Sequence, residues 1–351
     1  MSAILSANTV MPTNVYSQYE ISEVLSDVWG EHAKAAKRFH DHSKVETRNL
    51  ALKLEQYKSL GDFGSRNDLW IKHAVPLATK AVTNALAQST LQAKDIDLII
   101  STSITGIAVP SLEARLMNLM NFKDDTKRMP LFGLGCLGGA ACVARAHDYL
   151  TAYPTHAVLI TATELCSLTF QLDDQSIANM VATGLFADGS AAVVMVGKEH
   201  AKYQDAKLTV IDSMSAFYPE TERIMGWDIN QNGFKIVLSG DVPALVQDKV
   251  PNGVKKFLDR HQYHLSDIGE VIAHPGGPKV LDALAKALDV DSSWLRHSWE
   301  SLAKNGNMSS VSVLDILSRT LKTSIDSEKL GILMAMGPAF CSEMVLTKRV
   351  P

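Results

Sequence analysis

Residues 131–150, "LFGLGCLGGAACVARAHDYL", set one cysteine between an apolar segment and a long run of very small side chains. The glycines and alanines after Cys136 have almost no side-chain bulk, so backbone from neighbouring elements can approach on nearly every side. We therefore predict a helix that is buried at the centre of the fold, with Cys136 at its N-terminal end.

Apolar strand-like and helix-like segments alternate on both sides of this helix, which is typical of a mainly parallel α/β sheet. We predict strands at 95–104, 128–135, 156–163, 189–197, 268–277, 330–338 and 342–350. We predict helices at 69–88, 111–120, 137–153, 243–261, 278–288 and 310–321, and surface helices rather than sheet across 15–55. The alternation of predicted strands and helices starts again after residues 198–206. This predicts two duplicated α/β halves, 1–205 and 206–351, around a shared layer of helices.

The composition is that of an ordinary globular protein, with 46% apolar residues, 21% charged residues and a formal net charge of -4. No charge excess indicates a nucleic acid or an anionic membrane surface as a partner. The four cysteines form no CxxC pair, which predicts neither a zinc site nor a disulfide framework. Without a signal-like start or a segment long enough to span a membrane, we expect a cytoplasmic protein.

Cys136 has two interpretations. At the turn from a buried strand into a helix N-terminus, backbone N–H groups and the helix dipole would lower the pKa of the thiol and favour a nucleophilic thiolate. Alternatively, Cys136 is a small apolar core residue, as many free cysteines are. A nucleophilic cysteine needs a base or a cationic partner, so the 11 histidines are the next place to look.

His274 stands out because it follows an apolar strand and precedes a Pro-Gly-Gly-Pro turn that opens a helix. Ligands in α/β folds collect at the carboxyl ends of strands, whereas a lone histidine is more often structural. Asn307 follows an Asn-Gly turn just before a helix that Ser309 or Ser310 would cap, and its ordinary role would be that of a turn residue. Together, Cys136, His274 and Asn307 offer a nucleophile, a base and an amide donor.

The order Cys, His, Asn also occurs in papain-like proteases, but the sequence around Cys136 does not resemble theirs. Five sequence blocks, one of them around Cys136, resemble a different enzyme family much more specifically. They are "GLGCLGGAACVARAHDYL" (133–150), "GLFADGSAAVVMVG" (184–197), "IAHPGGPKVLDAL" (272–284), "NGNMSSVSVLDIL" (305–317) and "MGPAFCSEMVL" (336–346). Through these blocks the chain resembles type III polyketide synthases, the chalcone synthase-like branch of the thiolase-fold condensing enzymes.

The resemblance implies a five-layered αβαβα fold, a homodimer, and a catalytic triad of Cys136, His274 and Asn307. Cys136, as a thiolate paired with an imidazolium, would hold an acyl starter from an acyl-CoA. Malonyl-CoA would then lose CO2, and His274 and Asn307 would stabilise the resulting enolate. No metal, nicotinamide, flavin or carrier protein would be required, since the substrates are coenzyme A thioesters.

Three further blocks, at 104–116, 164–170 and 224–243, look most similar to bacterial enzymes that make long-chain alkylpyrones or alkylresorcinols. By position, the resemblance assigns substrate-binding or cavity roles to Phe186, Ile236, Cys166, Thr169, Ser309, Val109, Gly337 and Pro338. Ile236 stands where the family has a second phenylalanine, and Val109 is the position that would reach into a partner subunit. Arg38 would bind coenzyme A, although Ala35 and His42 replace the two lysines that usually accompany it.

Two alternatives remain open on the sequence alone. The first is a ketoacyl synthase of the same fold that depends on an acyl carrier protein and condenses once per substrate. The second is a non-catalytic scaffold in which Cys136 is inert. The number of extensions and the mode of ring closure depend on the cavity volume, which the sequence does not give.

Overall fold

The computed structural model describes residues 1–323 and 329–350, with residues 26–28 described by their backbone alone. The strands are β1 (Ser2–Val10), β2 (Asn14–Ser17), β3 (Thr47–Leu50), β4 (Leu98–Thr102), β5 (Lys127–Leu131), β6 (Ala157–Leu165), β7 (Asp188–Gly197), β8 (Leu208–Phe217), β9 (Met225–Asn230), β10 (Gly233–Leu238), β11 (Ile268–Ala273), β12 (Leu330–Gly337) and β13 (Cys341–Arg349).

The α-helices are α1 (Gln18–Trp29), α2 (Ala33–His42), α3 (Leu54–Tyr57), α4 (Phe63–Ser89), α5 (Leu112–Leu119), α6 (Gly138–Ala152), α7 (Ile177–Leu185), α8 (Val242–Asp259), α9 (Pro278–Ala287), α10 (Arg296–Asn305) and α11 (Ser310–Thr320). Within the described residues, the predicted helices at 137–153, 278–288 and 310–321 are confirmed as α6, α9 and α11.

The main sheet has the strand order β11-β12-β13-β8-β1-β7-β6-β4-β5. It consists of two blocks, because β1 and β4–β7 precede residue 198 and β8 and β11–β13 follow residue 207. The two blocks meet where β1 pairs with β8 through only three residue pairs, Ser2 to Ile4 opposite Leu208 to Val210. The direct strand pairing between the blocks is therefore short, and the central helices supply most of the remaining contact, since α11 packs on β1 and α6 packs on β8, β12 and β13.

Alternating side chains along the strands face two different cores, as a strand period of 2 requires. On β12, Leu333 and Ala335 pack with α6 and α11, whereas Ile332 and Met334 pack with α8, α9 and α10. The other block repeats this arrangement, with α4 on its outer face. Outer helices, sheet, central helices, sheet and outer helices make up the five layers, which confirms the predicted thiolase-like αβαβα fold.

The two central helices touch through their first turns. A Cβ atom added to Gly139 would lie 2.2 Å from the carbonyl oxygen of Ser310, and one added to Gly138 would lie 3.3 Å from the Ser310 Cβ. The small side chains of α6 therefore allow the N-terminus of α11 to approach closely. This contact brings the segments before the two helices together, and both segments carry candidate functional residues.

Three predictions are wrong. The main sheet is mixed rather than mainly parallel, because five of its eight strand pairings are antiparallel. The 15–55 segment contains β2 and β3, which pair with each other as an antiparallel ribbon, in addition to its helices. The strand before Cys136 is not buried: β5 is the edge strand of the main sheet, and its residues are half-buried or exposed. Its apolar letters suggested burial, but an edge strand has a paired neighbour on one side only.

Candidate active site

Cys136 lies in a short 3-10 turn, Gly135–Leu137, that leads directly into α6. Gly135 has a φ of 51°, a left-handed conformation that glycine adopts without strain. A Cβ on Gly135 would lie 2.6 Å from the Pro338 ring, and a Cβ on Gly337 would lie 2.6 Å from Leu137. The loop after β12 therefore packs tightly against the turn and fixes the position of Cys136.

His274 follows β11 directly, where its backbone N–H donates to the carbonyl of Met334 at 3.0 Å. Its side chain is only 2% exposed, and neither ring nitrogen has a hydrogen-bond partner among the described residues. Burial lowers the pKa of His274 to about 3, so the imidazole is neutral around pH 7. Both ring nitrogens of His274 are therefore available for hydrogen bonds to a bound ligand.

Asn307 is held by its backbone in a parallel bridge with Phe186. The Asn307 N–H donates to the Leu185 carbonyl at 2.8 Å, and the Ala187 N–H donates to the Asn307 carbonyl at 2.9 Å. The side-chain oxygen of Asn307 accepts from the Ser309 N–H at 2.8 Å, which directs the amide NH2 group the other way. That NH2 group makes a long contact of 3.4 Å with the Gly276 carbonyl and is also a donor to the Cys136 sulfur. Asn307 therefore presents a donor.

Ser309 has a φ of 50°, which is strained for a residue with a Cβ atom, and it precedes α11 without a side-chain capping bond. The Ser310 hydroxyl donates to Glu164 instead of capping the helix. The prediction that Ser309 or Ser310 caps this helix is therefore wrong. The Ser312 hydroxyl takes a related role by accepting from the Met308 N–H at 2.8 Å.

Cys136, His274 and Asn307 line one cavity of about 610 Å³. The cavity wall is mostly apolar, including side chains of Val181, Leu185, Met225, Trp227, Val242 and Met336. Concave apolar cavities with a few convergent polar groups are the usual form of a small-molecule site. The structure thus brings together three residues that are more than 30 positions apart in the sequence.

The pKa of the Cys136 thiol moves in the direction opposite to the expected one. Burial raises its pKa to about 11, while donors on the side chains of Ser309 and Asn307 act to lower it and the nearby Glu164 carboxyl acts to raise it. Because burial also keeps His274 neutral, a resting thiolate–imidazolium pair is disfavoured. Desolvation is the largest cause of this shift, and it opposes the lowering of the pKa that was expected at a helix N-terminus.

The residues assigned by resemblance fall into two groups. Phe186, Ile236, Ser309 and Pro338 line the cavity with the three polar residues. The other assigned residues do not line it. Cys166 and Thr169 lie in a buried 3-10 turn, and Gly337 packs against the turn that carries Cys136. Val109 is 92% exposed, and Arg38 is an exposed residue of α2. Arg38 precedes by one helical turn His42, which does line the cavity.

Sequence reasoning missed three residues of this region. Lys279, an exposed residue in the first turn of α9, and Trp227 of β9 both line the cavity. Glu164 is fully buried and accepts hydrogen bonds from Ser103 and from the Ile104 N–H, and burial raises its pKa to about 7. Glu164 is the one charged residue in the apolar segment 157–165, and that is a signal that could have identified it.

No group of three or more His, Cys, Asp or Glu side chains that could hold a metal ion occurs in the described residues. Among the helices of the described part of the chain, none is long and apolar enough to cross a membrane.

Comparisons with known proteins agree with this geometry. The family models for the N-terminal and C-terminal domains of chalcone and stilbene synthases match residues 1–199 and 209–351. The chain therefore belongs to the chalcone and stilbene synthase family, and it is a type III polyketide synthase with acyltransferase-type chemistry.

Particular relatives extend over almost the full chain. A 1,3,6,8-tetrahydroxynaphthalene synthase from Streptomyces peucetius subsp. caesius is 42% identical over 351 residues, covering 99% of this chain and 93% of that protein. The alpha-pyrone synthesis polyketide synthase-like Pks18 of Mycobacterium tuberculosis is 26% identical, covering 96% and 88%. The crystal structure of 1,3,6,8-tetrahydroxynaphthalene synthase from Streptomyces coelicolor A3(2) matches with a TM-score of 0.93 at 32% identity, covering 99% of both chains.

Proposed function

We propose that this synthase extends an acyl group on Cys136 by repeated decarboxylative condensation with malonyl-CoA. The observation that carries the proposal is the single apolar cavity lined by Cys136, His274 and Asn307. In the loading step, the Cys136 sulfur attacks the thioester carbonyl of an acyl-CoA and coenzyme A leaves. Because burial disfavours a free thiolate, the thiol proton passes to His274 during the attack rather than before it, and His274 then gives this proton to the departing sulfur of coenzyme A.

Malonyl-CoA then binds in the cavity that coenzyme A has left. Its carboxylate is lost as CO2, and the electron pair of the broken C–C bond remains as an enolate of the acetyl thioester. Asn307 offers its NH2 group to the developing oxyanion, and His274 offers a ring N–H. Donors that are already in place when charge develops accelerate such steps by about 100-fold or more each.

The enolate carbon forms a C–C bond to the acyl carbonyl, the C–S bond to Cys136 breaks, and the sulfur leaves as a thiolate. The lengthened chain, now a thioester of coenzyme A, transfers back to Cys136 with release of coenzyme A, and another cycle begins. Repetition yields a poly-β-keto thioester that closes to a ring. The apolar wall, including Ile236 in place of a bulkier aromatic residue, supports a medium- or long-chain fatty acyl starter. The proposed products are accordingly alkylpyrones or alkylresorcinols.

A second product class has its own support. The relative at 42% identity is named for 1,3,6,8-tetrahydroxynaphthalene, a fused bicyclic compound without an alkyl chain. A synthase of that kind would need no fatty acyl starter. The relative named for alpha-pyrone synthesis favours the alkylpyrone alternative, although at lower identity.

The experiment is an incubation of the protein with radiolabelled malonyl-CoA, with and without a fatty acyl-CoA, followed by mass spectrometry of the products. We expect multiply extended alkyl products that depend on the starter and need no carrier protein. A naphthalene product from malonyl-CoA alone would overturn the starter assignment. A single β-keto extension that requires a carrier protein would support the ketoacyl synthase alternative instead.

The mouth of the cavity supports binding of coenzyme A, whose phosphorylated end is anionic. Lys279 and His42 line the cavity from opposite segments, α9 and α2, and Arg38 lies one turn from His42. A Lys279→Ala variant should show a raised KM for malonyl-CoA and an unchanged KM for a malonyl thioester of N-acetylcysteamine, which lacks the phosphates. Lys286→Ala, in the last turn of α9 and away from the cavity, is the matched control.

A homodimer in the cytoplasm remains part of the proposal. Large apolar side chains are exposed in the loop before α5 (Val109, 92%), at the end of α5 (Leu119, 61%) and directly after the edge strand β5 (Phe132, 53%). Contiguous exposed apolar surface often marks a protein interface. Light scattering should give twice the chain mass of 38.2 kDa, and a monomer at micromolar concentration would contradict the proposal.

A further inference from the structure

A fully buried arginine, Arg48 of β3, lies behind the cavity wall. Its Nη1 atom donates to the carbonyl oxygens of Thr183 and Phe186 at 2.7 and 2.8 Å, and its Nη2 atom donates to the side-chain oxygen of Gln18 at 2.8 Å. Gln18 in turn donates to the Gly184 carbonyl at 2.6 Å. Arg48 and Gln18 therefore bind the last carbonyls of α7, where the helix has no internal donors left.

The same arginine also touches the segment that carries Asn307. The Cγ and Cδ atoms of Arg48 lie so close to Gly306 that a Cβ atom there would be 3.1 Å from each of them. Asn307 is the next residue, and its N–H donates to the carbonyl of Leu185, the last residue of α7. Arg48 thus contacts both chain segments of the Phe186–Asn307 bridge.

Burying a guanidinium is costly unless its donors are satisfied, and charge-assisted hydrogen bonds are stronger than neutral ones. At Arg48, three such bonds go to one short segment and to the glutamine that supports it, whereas the buried Nε atom has no hydrogen-bond partner among the described residues. Because the buried Arg48 side chain donates to the Thr183 and Phe186 carbonyls, it restricts the end of α7 to one position. The two side chains that depend on this position, Phe186 and Asn307, both line the cavity.

We propose that Arg48 is a positioning residue that sets the cavity-side geometry of Phe186 and Asn307 and thereby supports malonyl decarboxylation. This inference rests on the proposed function of Asn307. It predicts a selective effect, because the turn that carries Cys136 is held by other contacts, with Pro338 and Gly337. Loss of Arg48 should therefore impair decarboxylation more than acyl loading.

The test compares two rates in the full-length Arg48→Met variant. One is CO2 release from malonyl-CoA, and the other is acylation of Cys136 by a fatty acyl-CoA, followed by mass spectrometry. We expect decarboxylation to fall by about tenfold or more, while acylation stays within about twofold of wild type. The matched control is Arg349→Met, which removes another buried arginine, bound to Glu270 and the Thr320 carbonyl, none of which lines the cavity. It should change neither rate.

Arg48→Lys and Gln18→Leu keep the test decisive if Arg48→Met does not fold. Lysine retains a cation with fewer donors, and the Gln18 change removes one acceptor of Arg48, so both should give a milder form of the same split. Equal loss of both rates, or no loss of either, in these folded variants would overturn the inference. A wild-type protein that releases no CO2 from malonyl-CoA would refute the proposed function itself.

Discussion

The segments before α6 and α11 occupy equivalent places in the two blocks, yet they are built differently. Before α6, the left-handed position is Gly135, at φ 51°, and the helix begins with Gly138 and Gly139. Before α11, the left-handed position is Ser309, at φ 50°, and serines continue into the helix. The segment before α6 is rich in glycine, whereas the segment before α11 has polar side chains and a strained backbone at Ser309.

The difference is the basis of the proposed division of tasks between the two segments. The glycine segment carries Cys136, the proposed nucleophile, and lets α11 approach closely. The serine segment supplies hydrogen-bond donors: Asn307 directs its amide NH2 group away from Ser309, and the Ser309 and Asn307 side chains act to lower the pKa of Cys136. Duplicated α/β units can thus carry complementary parts of one reaction.

The largest effect should come from Cys136→Ala on the glycine segment. Without the sulfur no acyl enzyme forms, so product formation from acyl-CoA and malonyl-CoA should fall to background in a chromatographic assay. Cys142→Ala, six residues further on and fully buried in α6, is the matched control and should retain activity. Retained product in the Cys136 variant would mean that another residue carries the chain.

On the serine segment, Asn307→Ala should reduce decarboxylation of malonyl-CoA by about 100-fold, because an oxyanion donor is lost. Loading of Cys136 should change by only a few-fold. Rapid-quench measurement of both steps checks this division. If loading and decarboxylation fell together, the two segments would not have separate tasks.

The contact between the segments can be broken by Gly139→Ala. The new methyl group would lie 2.2 Å from the Ser310 carbonyl oxygen, so α6 and α11 must separate. We expect a loss of about 2 kcal/mol in the free energy of unfolding, roughly a 30-fold change in the unfolding equilibrium, from urea denaturation. Gly64→Ala is the control, because its nearest neighbour would be 3.7 Å away. If both variants had the same free energy of unfolding, the close packing of α6 against α11 at Gly139 would not contribute to stability as we infer.

A smaller effect, about tenfold per pH unit, is expected for the alkylation of Cys136 by iodoacetamide. Since burial raises the pKa of Cys136 to about 11, the thiolate fraction should grow throughout the range from about pH 7 to pH 10. Cys142, which is fully buried and whose pKa is also raised by burial, should react far more slowly. A rate that levels off near pH 7 would show a resting ion pair with His274 instead.

Much of this frame could be predicted from the sequence because the decisive signals are local. A helix as poor in side-chain bulk as α6 can pack only at the centre, and His274 and Asn307 each follow an element that ends at the same side of the fold. The motif blocks then gave the fold class. These inferences need only periodicity, turn chemistry and the resemblance.

The remaining features depend on contacts between distant residues. The β9–β10 hairpin brings Trp227 and Ile236 to the cavity, and nothing in its own letters indicates that destination. The polar letters around Arg48 predict a surface charge, but the two carbonyl groups that it binds, those of Thr183 and Phe186, lie about 135 positions away. The pKa of Cys136 was misjudged for the same reason, because desolvation by the assembled cavity is not visible in the residues next to it.

The most direct test of the account is to map the acyl group after a short incubation with a fatty acyl-CoA and no malonyl-CoA. Peptide mass spectrometry should find the acyl group on Cys136, with Cys142, Cys166 and Cys341 unmodified. An acyl group on another cysteine, or none on a protein that still makes product, would contradict the central claim that Cys136 carries the growing chain.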